Sequence, residues 1–158
     1  MIIEYEFYDP RESTDEIVAH NLDEINKLLR VLNPNEIRFV DVPYLREVCE
    51  RSRLLVARRG ASYRSGPIIP IVGMATLVPV VQLFGRFGHI EDVAVEEQSQ
   101  GRGIGTALLN GLIAEAKRLR LQHLDLTSRP TREEANRLYL KVGFERRDTN
   151  CYRLKLAA

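Results

Sequence analysis

Two carboxylates, Glu91 and Asp92, are set into a strand-like stretch upstream of Gly101, Gly103 and Gly105, in the run HIEDVAVEEQSQGRGIG. Carboxylates in such a place can draw in an ammonium group and take its proton, directly or through a water. A free alkylamine titrates near about 10.4, so at neutral pH it must lose a proton before it can act as a nucleophile. The glycines suit a different task. Glycine has no side chain, so a ligand can approach the main chain closely. Where a glycine run opens a helix, the first N–H groups lack helical partners and the dipole favours an anion. Gln100-Gly101-Arg102-Gly103-Ile104-Gly105 has this form, and the hydroxyl of Thr106 follows it. A phosphate or pyrophosphate is the expected occupant. The run is not a P-loop, which needs GxxxxGK[ST], and it departs from the dinucleotide fingerprint GxGxxG because Thr106 stands in place of the third glycine.

The strand before the glycines carries a fault in its periodicity. Val93 and Val95 keep period two, but Ile90 to Val93 breaks it by one residue. An extra residue is what a β-bulge requires. A bulge at Glu91-Asp92 would splay this strand from its neighbour. It would leave backbone N–H and C=O groups unpaired beside the glycine loop, where an extended, amide-bearing ligand arm could pair with them.

Breakers and periodicity predict the elements that must position these residues. Ile2–Phe7 reads as a strand. Cap residues from Ser13 to Glu16 precede a helix carried by Ile17, Leu22, Ile25, Leu28 and Leu29, which stops near Asn33-Pro34. A short helix follows over 43–50, then a strand at 54–57, a loop at 60–67 and an apolar β-rich stretch over 68–81, where Pro79 marks a bend or a strand end. A strand at 89–95, a helix over 103–119, a strand at 121–127, a helix over 131–142 closed by Gly143, and a closing pair of strands at 144–146 and 151–156 complete the order. The expected fold is α/β (α+β), a single domain with a central mixed sheet and helices on both faces.

Composition narrows the function classes. The chain has 158 residues, 44% hydrophobic and 28% charged, with a formal net charge of +1. No basic face stands out, so nucleic acid is not an expected partner, and Arg51, Arg53, Arg58 and Arg59 read as a solvated face. Cys49 and Cys151 are far apart and not in a metal-like spacing, so no metal is expected and both read as small apolar residues of a reducing compartment. The start MIIEYEFYDP is not a signal peptide, and no apolar run is long enough to span a membrane. A cytoplasmic location is the expectation.

Two motifs together give a family likeness. Gln100-Gly101-Arg102-Gly103-Ile104-Gly105 resembles the acetyl-CoA signature Gln/Arg-x-x-Gly-x-Gly/Ala of the GNAT acetyltransferase superfamily. Leu138-Tyr139-Leu140-Lys141-Val142-Gly143-Phe144 resembles its usual tail, a tyrosine followed by Gly-Phe. The likeness covers Gly88 to about Leu156; residues 1 to about 80 match only in element order. Gly88-His89-Ile90-Glu91-Asp92-Val93 is similar to the corresponding strand of glucosamine-phosphate N-acetyltransferases.

The resemblance implies an enzyme that moves an acetyl group from acetyl-CoA to a primary amine of a small molecule by direct attack. It implies the pyrophosphate on the backbone from Gly101 to Thr106, with Gln100 at the head of the motif. The pantetheine arm would pair with Val93 and Val95, and an N–H of Val93 or Ala94 would polarise the acetyl carbonyl. Glu91 is then the base and Asp92 the acceptor binder, though in a bulged strand the two could swap. Tyr139 would protonate the departing thiolate, and Asn136 would touch pantetheine. The family often places an asparagine seven residues before this tyrosine, where this chain has Arg132. His89 is a second candidate base or a structural histidine. Tyr63, Arg64 and Arg86 are candidate acceptor contacts. Two alternatives stand beside this reading: a protein or peptide acetyltransferase, and a CoA-binding module without catalysis. A homodimer is common in the superfamily.

Overall fold

The computed structural model describes residues 2–34, 39–60 and 69–156. It divides into two compact units, residues 1–127 and 128–158. In the first unit the elements run β1 (Ile3–Phe7), α1 (Asp15–Leu32), α2 (Val42–Arg51), β2 (Arg53–Arg59), β3 (Ile71–Gln82), β4 (Gly85–Val95), α3 (Ile104–Arg118) and β5 (Leu124–Asp125). The sheet order is β1-β2-β3-β4-β5. The first four strands pair antiparallel and β5 joins β4 in parallel.

Local chemistry fixes the helix starts. The Thr14 hydroxyl accepts from the Ile17 N–H at 3.5 Å, and the Asp41 carboxylate accepts from the Tyr44 N–H at 2.8 Å. Each satisfies an N–H that the helix itself leaves without a partner. Asn26 then pins the approach to α2, donating to the Val40 carbonyl at 3.0 Å and accepting from its N–H at 2.9 Å.

The sheet is covered on both faces, as alternation along β3 requires. Met74 packs with Ile25, Leu28 and Leu45 of α1 and α2. Gly73, one residue earlier, faces Ile104 and Leu108 of α3, where an added Cβ would sit 3.1 Å from the Ile104 side chain. Leu108, Leu109 and Leu112 are wholly buried in this second layer.

Several expectations change. Pro79 does not end β3; it pairs with Gly88 inside the ladder. Pairing of β3 with β2 stops at Leu77, so Pro79 lies where β3 is an edge on that side and a missing N–H costs no ladder bond. The strand expected at 89–95 begins earlier, at Gly85. The strand expected at 121–127 contracts to Leu124–Asp125. Arg58 is not solvated. It is 4% exposed and donates to Glu6 at 2.6 Å, Asn21 at 3.1 Å and the Ile69 carbonyl at 2.9 Å. Burial of a guanidinium demands such partners. Arg51, Arg53 and Arg59 each pair with a carboxylate as well, those of Glu47, Glu115 and Glu96.

The second unit contains α4 (Glu133–Lys141). Gly143 closes it at φ 101°, with the Phe144 N–H reaching back to the Tyr139 carbonyl at 3.0 Å. This is the glycine-dependent helix ending that the sequence predicts. The closing strands do not form: residues 144–156 make no strand. Tyr152, Leu154 and Leu156 keep the alternation but are each more than four-fifths exposed. A two-stranded pair without an apolar face to bury is marginal in water. Cys151 is exposed as well, whereas Cys49 packs against the core.

Candidate functional site

The bulge expected at Glu91-Asp92 is present. Along β3, Met74 and Thr76 are two residues apart; their partners on β4, Ala94 and Glu91, are three apart. The extra residue is absorbed where Asp92 takes φ 53°, a left-handed conformation in a residue that is not glycine. Aspartate is among the few side chains that tolerate it. Both Glu91 and Asp92 are exposed. The Asp92 carboxyl is nevertheless crowded by protein. Crowding pushes its pKa above the ordinary value, partly opposed by a hydrogen bond from the Thr76 hydroxyl.

Beyond His89 the β5 side of β4 lies open. Pairing with β5 is confined to Gly88↔Leu124 and His89↔Asp125, so Ile90 to Val95 have no β5 partner. Glu96 donates to the Val72 carbonyl at 2.8 Å, which makes 72 and 96 a hydrogen-bonded pair across the β3–β4 ladder. Val95, one residue back, therefore turns its backbone groups away from β3, toward the open edge. Val93, two residues earlier, shares that edge by alternation, whereas Ala94 turns to β3 and is buried. Of the two expected carbonyl-polarising donors, Val93 is the one so placed.

The glycine loop follows at the end of β4. Gly101 and Gly103 have φ of 72° and 79°, and a Cβ added at either would meet nothing within 4 Å. The backbone here borders open space. The first helical bond of α3 runs from the Ala107 N–H to the Gly103 carbonyl at 3.0 Å, so the N–H groups of Ile104, Gly105 and Thr106 precede the helical ladder. The Ile104 side chain is 2% exposed and belongs to the core; only its backbone is available to the loop. Arg102 is exposed. Gln100 spans the loop's base, its side-chain amide donating to the Val95 carbonyl at 3.0 Å. Beneath lies a polar brace: Glu96 accepts from the buried Ser99 hydroxyl at 2.9 Å and from Arg59 at 3.3 Å.

On the strand bearing the carboxylates, Phe87 stacks on His123 with ring centroids 5.1 Å apart and meets His89 edge-on at 5.4 Å. His89 is thus held among rings. Arg86 is exposed near the start of β4, and Tyr63 and Arg64 lie outside the described residues.

In the second unit, Tyr139 is half-buried on α4, with its ring edge-on to Phe144 at 6.2 Å. The Asn136 side chain donates to the carbonyls of Arg129 at 3.0 Å and Pro130 at 3.4 Å. Its amide N–H groups thus brace the turn that leads into α4.

Sequence reasoning missed Thr76. It is 3% exposed, stands opposite Glu91 and reaches Asp92. A lone threonine in an apolar strand gives no signal until the strand register is known.

The sequence matches the model of the acetyltransferase (GNAT) family over residues 22–144. Comparison with curated protein sequences finds no match. Solved structures with the same fold include an acetyltransferase from Trypanosoma brucei, at 24% identity and TM-score 0.73 over 98% of this chain and 100% of that one. Glucosamine-6-phosphate N-acetyltransferase from Arabidopsis thaliana aligns at 16% identity and TM-score 0.73, over 98% and 99% of the two chains. Ribosomal-protein-alanine N-acetyltransferase from Brucella melitensis biovar Abortus aligns at 18% and 0.71, over 99% and 100%. These likenesses concern the fold, and the acceptors named in them range from an amino sugar to a protein. With the family model covering most of its length, the chain belongs to the GNAT acetyltransferase family.

Proposed function

We propose that this protein transfers the acetyl group of acetyl-CoA to a primary amine of a small molecule. The observation that carries the reading is the juxtaposition on β4 of a bulge bearing two carboxylates with an edge that β5 leaves open. A peptide-like arm can add to that edge as an extra strand, and the open space before Gly101 and Gly103 fits a pyrophosphate on the backbone N–H groups up to Thr106. Val93 and Val95 would hold the pantetheine amides. When bound, acetyl-CoA supplies the thioester carbonyl and a thiolate leaving group. The Val93 N–H would donate to the carbonyl oxygen as negative charge develops there.

The crowding of Asp92 supports the swapped pair of roles that a bulged strand allows. A carboxylate whose proton affinity is raised is the better base at neutral pH, so Asp92 takes the amine's proton and Glu91 binds the ammonium before transfer. Tyr139 supplies the proton for the departing thiolate. Asn136 serves the turn before α4.

The test is thiol release from acetyl-CoA over a panel of amino-sugar phosphates, amino acids, polyamines, aminoglycosides and lysine peptides, with wild type and Tyr139→Phe. A small amine acetylated by wild type, with the rate lost in Tyr139→Phe but acetyl-CoA affinity kept, supports the reading. Activity confined to lysine peptides overturns the small-molecule acceptor. Tight acetyl-CoA binding with no transfer to any amine overturns the enzymatic reading in favour of a binding module.

A further inference from the structure

We infer that Thr76 is a positioning residue for acetyl transfer: its buried hydroxyl, donated across the β3–β4 ladder, holds the Asp92 carboxylate at the open edge of β4 in the orientation that receives the amine's proton. The inference rests on the role of Asp92 proposed above.

Three observations meet at this contact. Thr76 is the one hydroxyl in the buried run Ile71–Leu77 of β3, and it is 3% exposed. A buried hydroxyl costs free energy unless it is hydrogen-bonded, and an apolar residue would fill the place without that cost. In register Thr76 stands opposite Glu91, yet its hydroxyl reaches Asp92, because the bulge displaces Asp92 by one position. Asp92 in turn sits at φ 53°, which costs roughly 1–3 kcal/mol outside glycine. A strained carboxylate fixed by a dedicated buried donor belongs to a site where orientation matters.

The surroundings leave this donor decisive. β3 carries no ionisable side chain. On the elements packed against β4, the ionisable side chains that are not exposed are Asp125 on β5, His20 and Glu24 on α1 and Glu115 on α3, and β4 itself carries Arg86, His89 and Glu91. The influences on the Asp92 carboxyl are crowding, which raises its proton affinity, and Thr76, which lowers it. Removing the hydroxyl leaves crowding alone, so Asp92 must then titrate at higher pH.

The experiment compares Thr76→Val, which removes the donor, with Thr76→Ser, which keeps it. Thr76→Ala replaces valine if the valine variant fails to fold by circular dichroism. The readouts are the carboxyl titration of Asp92 by 13C NMR, assigned with Asp92→Asn, and the pH profile of kcat/KM for a responsive amine. Thr76→Val is expected to move the Asp92 midpoint and the acid limb upward. At pH above the new midpoint kcat should still fall roughly ten- to hundredfold, because a misoriented base loses more than its raised proton affinity returns, with acetyl-CoA affinity unchanged. Thr76→Ser is expected to restore both. An unmoved midpoint in a folded Thr76→Val or Thr76→Ala protein, or no rescue by serine, overturns the inference. If Asp92→Asn keeps full activity, the proposed role of Asp92 falls whatever Thr76 does. If Asp92→Asn is inactive while Thr76→Val changes neither midpoint nor rate, the inference on Thr76 falls alone.

Discussion

The side-chain amide of Gln100 donates to the carbonyl of Val95 at 3.0 Å, tying the base of the glycine loop to the last residue of the bulged strand. Gly101 and Gly103 have no side chains with which to do this, and α3 starts without a side-chain cap. Gln100 therefore fixes where the helix N–H groups point. Gln100→Ala is expected to weaken acetyl-CoA binding about two- to twelvefold, the equivalent of one hydrogen bond at roughly 0.5–1.5 kcal/mol, and to leave kcat at saturating acetyl-CoA nearly unchanged. Calorimetric Kd beside steady-state kinetics checks this. A fall in kcat at unchanged Kd would mean that Gln100 acts on the chemistry instead.

Gly103 allows a separation of backbone strain from steric clash. Its φ is 79°, and an added Cβ would meet nothing within 4 Å. Substitution there costs conformational energy alone, on the order of 1–2 kcal/mol for alanine and more for a β-branched side chain. Asparagine tolerates the left-handed region better. Thermal stability should therefore rank wild type, Gly103→Asn, Gly103→Ala, Gly103→Val. Valine equal to asparagine in melting temperature would show that the loop relaxes out of this conformation at little cost.

The site was legible in the sequence where it depends on local chain geometry. The phase slip between Ile90 and Val93 announces an extra residue, and the structure has the bulge there, with Asp92 in the left-handed region. Gly101 and Gly103 announce a backbone that other residues resist, and both have positive φ. What depends on partners was not legible. Arg58 looks like one of several surface arginines until Glu6, Asn21 and the Ile69 carbonyl enclose it. Thr76 acquires meaning only from a register that sets it beside the bulge. The alternation of LQHLDLT predicts a long strand, but pairing ends at Asp125 because β4 diverges after His89. The same divergence leaves open the edge on which the proposed cosubstrate site depends. At the other end of the chain, Tyr152, Leu154 and Leu156 alternate like a strand, and alternation alone supplies no partner.

The two cysteines should differ sharply in reactivity. Burial pushes the Cys49 thiol up to about 11, so almost none of it is thiolate at neutral pH, and its side chain packs against the core. Cys151 is exposed. Because the thiolate is the reactive form, a disulfide reagent such as Ellman's is expected to titrate one thiol per native chain quickly and the second only on unfolding. Cys151→Ser should abolish the fast phase. It would also give the cleaner enzyme for any assay that reads free thiol from CoA. Two fast thiols in the native protein would contradict the packing of Cys49.

Asp92→Asn tests the electrostatics of the bulge apart from catalysis. The native pKa of Asp92 lies above its ordinary value of 3.8, with crowding as the main cause. Over the window between the ordinary and the raised value, the folded chain holds a proton that the unfolded chain has released. Stability therefore falls as pH rises through that window and stays at the lower level at neutral pH. Asparagine removes the charge, keeps an oxygen able to accept from Thr76, and suits the left-handed backbone. The variant should be at least as stable as wild type in urea melts at pH 7, with any advantage gone by about pH 3, below the ordinary carboxylate range. Its acetyl transfer should fall by about 10²–10⁴, the contribution expected of a positioned base. A variant less stable than wild type at pH 7 and equally stable in acid would show that the Asp92 charge is favourably solvated in the fold. That result would remove the ground for choosing Asp92 over Glu91 as the base.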